Sequence, residues 1–452
     1  MKMLRRFLLL FPFFLFSFLC ESVLSGDATS QKPDGPQAMF SALGVGPELF
    51  RQFVDGKPIA SDKTEPLLRV LYRLRWFPAV DLDRWANEPD AMSDSTTHPD
   101  RRGAVFRLRG RVLQVELQRP SAQDAERFEM TRYYRCRLQL DNSPNSATSE
   151  IYTENVPPSW RDGATPDVPG GALGVLLKAG LAHNGHLTWI FVAPRLAWYP
   201  DDPLGRLGMD FGLLESMQNE KPFDPRSAAD SEAFYQMLAA VGRAKPGRLL
   251  RDAKRQLPNI RENWRWTNRQ GQEQYSVVPL FTDPDSQVGR LMEFSGTARR
   301  VERIAVDDPD LRARFGIDHY FQVSLLTDDS QGNPLTFCVR EIPQGMPYGA
   351  QPHYGEWVQA AGFFFKTWIY TTAATAASKT TRQPSPLLIG RDLAWRPVVV
   401  PPRGHSLNAA LIIAALAMMG LFWWMAWRGR RREQQWLARQ LAEKEPIEEK
   451  QP

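Results

Sequence analysis

The chain has 452 residues, room for about three domains at ~150 residues each. Hydrophobic residues at 43% and charged residues at 24% are ordinary for a globular protein, which excludes a chain disordered throughout, a collagen and a polytopic membrane protein. A net charge of +5 on this length is too weak a footprint to make nucleic acid an expected partner.

Residues 1–26 have the form of a secretory signal peptide. A basic start, Met1 to Arg6, leads into an apolar run from Phe7 to Leu19, and small residues Val23 and Ser25 precede Gly26. Pro12 inside the run opposes a long helix.

The next 370 or so residues repeat themselves. LGVGPELFRQFVDGKP at 43–58 aligns with LGMDFGLLESMQNEKP at 207–222. Leu67, Leu68, Leu71 and Leu74 correspond to Phe234, Tyr235, Leu238 and Val241, both sets at helical spacing. Further on, Gly110 falls on Gly296, YYRCRLQLDN at 133–142 on YFQVSLLTDD at 320–329, IYTENVP at 151–157 on FCVREIP at 337–343, and Trp198 on Trp395, two indoles expected to be largely buried because a large aromatic held at one repeat position is explained by packing. The expected layout is therefore repeat 1 over 38–201 (helices 40–86, strands 101–200) and repeat 2 over 203–398 (helices 207–257, strands 287–397). The expected class is mainly β with short helices, α+β.

Within repeat 1, Phe106, Leu108, Gly110 and Val112 alternate with Arg107, Arg109 and Arg111, and then the frame slips to Leu113, Val115 and Leu117. A one-residue slip beside a glycine predicts a bulged, bent strand. Tyr134, Cys136, Leu138 and Leu140 alternate with Arg135, Arg137 and Gln139, predicting a half-buried second strand. A third strand is expected near 151–156 and a fourth near 173–183. Asn184-Gly185 suits a hairpin turn into a fifth from Leu187 to Ala193. Repeat 2 follows the same order, with a Thr/Ala/Ser-rich loop near 371–384.

Five strands, a long first strand bent at a glycine, and a long gap between strands three and four resemble the oligonucleotide/oligosaccharide-binding barrel. In repeat 2, Gly355-Glu356-Trp357-Val358-Gln359-Ala360-Ala361-Gly362 is similar to that fold's fourth strand, and Gly180 is the expected partner of Gly362 in repeat 1. The resemblance implies a ligand face on strands two and three. There the expected ligand-binding residues are Tyr133, Arg135, Arg137 and Tyr152.

No reaction is selected by the remaining residues. His183 and His186 flank the Asn184-Gly185 turn without a third ligand nearby, so no metal is expected. Cys136 and Cys338 sit at unrelated repeat positions and are expected as unpaired buried thiols. Asp307-Asp308-Pro309-Asp310 is expected as solvated acids in a loop between strands, and Asp328-Asp329-Ser330-Gln331-Gly332-Asn333, like its counterpart Asp141-Asn142-Ser143-Pro144-Asn145, as a turn rather than a calcium loop. Neither a cofactor nor a catalytic residue is expected.

Residues 407–427 form an apolar segment of 21 residues, enough to cross ~30 Å of hydrocarbon. Trp423, Trp424 and Trp427 gather at its end, and Arg428, Arg430, Arg431 and Arg432 follow. That asymmetry predicts a single transmembrane span with the tail, 428–452, in the cytoplasm and the repeats outside. The function expected from sequence is a membrane-anchored, extracytoplasmic binding or assembly protein of the cell envelope, non-enzymatic, with a protein or envelope-polymer partner. The alternative is an envelope-polymer enzyme or accessory working through carboxylates.

Overall fold

A computed structural model describes residues 33–57, 59, 64–88, 101–141, 148–181, 187–217, 228–268, 271–349, 355–370, 383–397 and 405–442. The signal peptide, His183, His186, the Asn184-Gly185 turn and residues 371–382 lie outside the described residues. Two compact units emerge. One takes the described residues of 33–217 with 228–243 and 306–318; the other takes 244–305 and the described residues from His319 on.

The first unit opens with four short helices, α1 (Pro36–Ala42), α2 (Pro47–Arg51), α3 (Glu65–Leu74) and α4 (Ala79–Trp85). Prolines at the first turn start α1, α2 and α3, where a missing N–H costs nothing. Helix α3 shows its amphipathic spacing directly: Leu67, Leu68, Leu71 and Leu74 are all buried. At about 2 kcal/mol each, these side chains hold the helix down far more firmly than its propensity does.

The strands follow: β1 (Val105–Gln118), β2 (Tyr133–Leu140), β3 (Thr148–Thr153), β4 (Val168–Leu181), β5 (Leu187–Ala193) and β6 (Ala197–Trp198). Their order is β1-β2-β3-β5-β4-β6, and β4 also pairs with β1, so five strands close a barrel. All pairs are antiparallel except β3 with β5. The anticipated slip is a bulge in β1 between Val112 and Gln114. Tyr134, Cys136, Leu138 and Leu140 fill the barrel with Phe106, Val115, Ile151 and Phe191.

A second core lies on the outside of this barrel. Phe40, Leu67 and Leu71 from the helices pack with Val175, Ile190 and Val192, which point outward from β4 and β5. The sheet is thus apolar on both faces along part of its width.

Three further helices follow in this unit: α5 (Ala122–Arg127), α6 (Phe211–Leu214) and α7 (Ala228–Gly242). Ser121 caps α5 by accepting from the Asp124 N–H at 3.1 Å. The buried carboxylate of Asp210 starts α6. It accepts from the N–H groups of Gly212 and Trp198, both at 2.9 Å, and pairs with Arg195 at 3.2 Å.

The second unit contains α8 (Arg248–Gln256), a hairpin of β7 (Arg265–Thr267) and β8 (Glu273–Tyr275), α9 (Val278–Thr282), β9 (Leu291–Ala305), β10 (His319–Leu326), β11 (Leu335–Val339), β12 (Glu356–Tyr370), β13 (Gln383–Gly390) and β14 (Leu393–Arg396). Between β9 and β10, α10 (Pro309–Phe315) belongs to the first unit, where Arg314 pairs with Glu232 at 2.6 Å. The Asp308 carboxylate caps α10, which accounts for that acidic cluster. Asp329 accepts from the Val277 N–H at 2.9 Å and ties down the loop ahead of α9.

The second sheet runs β13-β11-β10-β9-β12-β14, and β13 also pairs with β12, so it too is a ring. Register relates the two rings position by position. Gly110 pairs with Gly170, which pairs with Trp198; Gly296 pairs with Val358, which pairs with Trp395. A methyl group on Gly110 would lie 1.8 Å from the Gln139 carbonyl oxygen, and on Gly296 2.1 Å from that of Leu326. Both first strands bulge three residues after the glycine, at Leu113 and Arg299.

Two expectations need correction. Register sets Gly362 against Gly174, not Gly180, because Val175 pairs with Val192 as Phe363 pairs with Ile389. Trp198 and Trp395, expected to be largely buried, are half-buried. They sit on short strands added at the margin of each ring, where packing comes from one side; Trp198 meets Trp160 and Phe211, each at 5.7 Å.

A C-terminal helix, His405–Ala442, contains the one segment among the described residues long and apolar enough to span a membrane, Leu411–Gln440, with mean hydropathy 1.6. Its large apolar side chains are exposed, including Leu411, Phe422 and Trp423.

Candidate functional site

Two rows of side chains cross the outer face of the first barrel. One runs Gln114, Arg137, Glu150, Ile190 and Lys178; the next runs Glu116, Arg135, Tyr152, Val192 and Val175. The bulge at Leu113 puts Gln114 and Glu116 on this face, since it reverses the alternation of β1.

The helices cover only part of the face. Tyr133 and Tyr152 are 5% and 7% exposed and belong to the outer core, their rings 6.4 Å apart. Arg135 and Arg137 remain exposed. The four expected residues therefore divide: two tyrosines form a wall under the helical cover, and two arginines stand beside it in solvent. Alternation says which residues avoid the barrel interior; it does not say that a second core waits outside.

The arginines are not bare charges. Arg135 donates to the Glu150 carboxylate and lies 3.8 Å from Glu116. Its hydrogen bond to Glu150 raises the guanidinium above the ordinary arginine range. Arg137 donates to the side-chain oxygen of Gln114, whose amide in turn reaches Glu116 at 2.7 Å. The Tyr152 hydroxyl approaches Glu150 at 3.4 Å, and burial pushes its phenol up. Two arginines against Glu116 and Glu150 give a polar patch without net charge. Periodicity alone could have found Gln114 and Glu116 once the slip in β1 was accepted; Glu150 carries no signal beyond its place next to Tyr152.

At the covered end of the first row, Lys178 is 3% exposed. Its ammonium donates to the Lys57 carbonyl at 2.6 Å, and burial pulls its pKa down against the opposing pull of Asp55 and Glu150. Asp55 also accepts from Arg102 at 2.8 Å and from the Ala179 N–H at 2.8 Å, so the residue 55–57 turn is clamped onto β4.

Beside the exposed half runs an open groove of about 640 Å³, lined by Gln114 to Gln118 on one side and Asp162 to Thr165 on the other. Val115 and Ala164 exchange two backbone hydrogen bonds at its floor, 2.7 and 3.0 Å. Backbone groups alternate sides along a strand, so Leu117 turns its N–H and C=O toward the same groove. No backbone partner meets Leu117 there among the described residues. The groove thus combines a free strand edge with the carboxylates of Glu116 and Asp162 and the hydroxyl of Thr165. Such a lining can hydrogen-bond an extended polar chain.

Other candidates are accounted for by packing. Cys136 and Cys338 are free and buried, and burial pushes both thiols up, away from the reactive thiolate. Among the described residues no group of three or more His, Cys, Asp or Glu side chains is placed to hold a metal ion. In the second unit, Glu293 is buried beneath α8, accepts from the Ser295 hydroxyl at 3.1 Å, and is pushed above the ordinary carboxylate range by burial. Protein-family models give no match to this chain, and a comparison with curated proteins yields no relative.

Proposed function

We propose that this chain is a single-span membrane protein of the cell envelope whose two barrel repeats, 38–201 and 203–398, lie outside the cytoplasm and bind a protein or polymer partner. The ring order β1-β2-β3-β5-β4, closing back on β1, supports an oligonucleotide/oligosaccharide-binding type of barrel in both copies. The matched registers of Gly110 and Gly296 support a duplication. The signal-like residues 1–26 and the arginines after Trp427 favour the outside placement of the repeats.

One observation carries the binding role: the open polar half of the first barrel, Arg135 and Arg137, borders a groove with a free strand edge. The test is crosslinking in intact membranes followed by capture of the full chain, wild type against Arg135→Ala/Arg137→Ala. Loss of a specific partner from a folded double variant supports the reading. An unchanged partner profile removes this face. Protease added to spheroplasts should digest the repeats and spare a tag at Pro452; protection of both ends would refute the topology.

A second reading rests on Glu116 and Asp162, two carboxylates on one groove. It makes the protein a hydrolase of envelope polymer or an accessory to one. Solubilised cell-wall polymer should then be cleaved by the wild type and not by Glu116→Gln or Asp162→Asn. Absence of cleavage by the wild type leaves the binding role.

A further inference from the structure

The C-terminal helix carries an arrangement that anchoring alone does not require. Its apolar part, 407–427, is about 31 Å long at 1.5 Å per residue, the thickness of a hydrocarbon layer. Trp423, Trp424 and Trp427 then fall at one boundary and Arg428, Arg430, Arg431 and Arg432 just beyond it. Two of these arginines are ordered by the indoles. The Arg428 guanidinium lies 5.0 Å from the Trp424 ring, and that of Arg431 lies 3.9 Å from the Trp427 ring. The stacked indoles are 49% and 50% exposed, against 80% for Trp423, which carries no arginine.

At ~100° per residue, Trp424, Trp427, Arg428 and Arg431 share one helix face about 100° wide, while Glu433 lies on the opposite side. Among the described residues none of the four arginines has an ion-pair partner. Four positive charges thus stand within five residues without an ion pair among the described residues, and two of them are held one turn apart.

Resting on the membrane-span reading, we propose that Arg428 and Arg431, seated on Trp424 and Trp427 respectively, form a binding site for the phosphate of an anionic phospholipid. The chemistry fits. Planar guanidinium forks bind phosphodiester oxygens with paired N–H donors. The indoles occupy the depth they favour at a membrane boundary and fix the arginine side chains before the lipid arrives. A net negative headgroup is favoured over a zwitterionic one because no acid among the described residues of this face offsets the arginines.

The experiment reconstitutes the full chain into vesicles of mixed phosphatidylglycerol and phosphatidylcholine, extracts it gently, and measures retained lipid by native mass spectrometry. The wild type should retain phosphatidylglycerol in preference to phosphatidylcholine. Arg428→Gln/Arg431→Gln should lower that preference by roughly tenfold, while the charge-matched Arg430→Gln/Arg432→Gln should keep most of it. Equal loss in both double variants would reduce the effect to diffuse surface charge and overturn the site. Ready displacement by inorganic phosphate would assign it to a soluble anion and overturn it too. Flotation with the vesicles separates the two levels: a chain that inserts but retains no anionic lipid sinks the site alone, and a chain that fails to insert sinks the span with it.

Discussion

Lys178 and Lys366 stand at one and the same position of the two rings. Each directly follows the bulged residue of the strand that closes its ring, and each pairs with the neighbouring strand, at Ile190 and Leu387. Both side chains are buried, 3% and 1% exposed. A bulge re-aims the next side chain, and in both rings it aims a lysine out of solvent.

Burial depresses the pKa of Lys178. A lysine whose folded pKa is lowered destabilises the fold while it is charged in both states. Stability should therefore rise with pH between the lowered folded value and the ordinary value near 10.4. Lys178→Met should abolish that rise, measured as urea midpoints on the alkaline side. At neutral pH it should change stability by less than about 1.5 kcal/mol, because the volume is conserved and Lys57, an exposed residue, can turn its carbonyl to water. A wild-type profile that matches the variant's would contradict the assignment.

Gly110→Ala and Gly296→Ala should each cost about 3 kcal/mol or more, since the new methyl group meets a fixed backbone oxygen rather than a movable side chain. Chemical denaturation of each variant checks this. A loss under 1 kcal/mol, by order of magnitude, would mean that the first strand can shift away from the second.

Glu293 gives the opposite pH sense. Its folded pKa is raised by burial, with Lys254 and Ser295 opposing in part. Its contribution is fully present below the ordinary glutamate value near 4.3 and is lost as pH rises through the higher folded value. Glu293→Gln keeps the shape and has no charge to bury, so the variant should gain on the wild type as pH climbs from mild acid to neutral. Parallel stability curves for the two proteins over that window would count against a penalised carboxylate.

Cys136 and Cys338 should resist Ellman's reagent in the native protein and react on unfolding, because a buried thiol offers neither access nor thiolate. Fast native labelling of either residue would place it at a surface.

Much of the barrel was legible in the sequence because a strand that separates interior from exterior must alternate, and β2 does so without a break from Tyr133 to Leu140. The bulge in β1 was legible because its frame slips beside Gly110. The bulge in β4 was not. It sits inside the apolar run 175–177, where every residue is buried, so no alternation marks the slip, and the glycine match drifted to Gly180. Helices α5 and α10, inserted between first and second strands, show no period in the sequence because six or seven residues are too few; their caps, Ser121 and Asp308, are the readable signals. The site fared similarly. Arg135 and Arg137 were visible as the exposed set of β2, whereas the burial of Tyr133 and Tyr152 depends on helices that lie about 50 residues or more earlier in the chain.

The C-terminal helix is about 57 Å long at 1.5 Å per residue, and only ~30 Å of that can lie in hydrocarbon. The remainder includes about 21 Å from Arg428 to the helix end at Ala442, with Trp436 and Leu437 along it. A continuous rod has no joint at the membrane surface to absorb motion, except where Gly429 interrupts its side-chain cover. Tilting the span by ~20° would swing the far tip through about 7 Å, and turning it about its axis would carry Trp436 and Leu437 round by the same angle. In the role of anchor proposed above, such a rod would also be a lever, carrying any movement of its apolar part, as position and heading, to its tip.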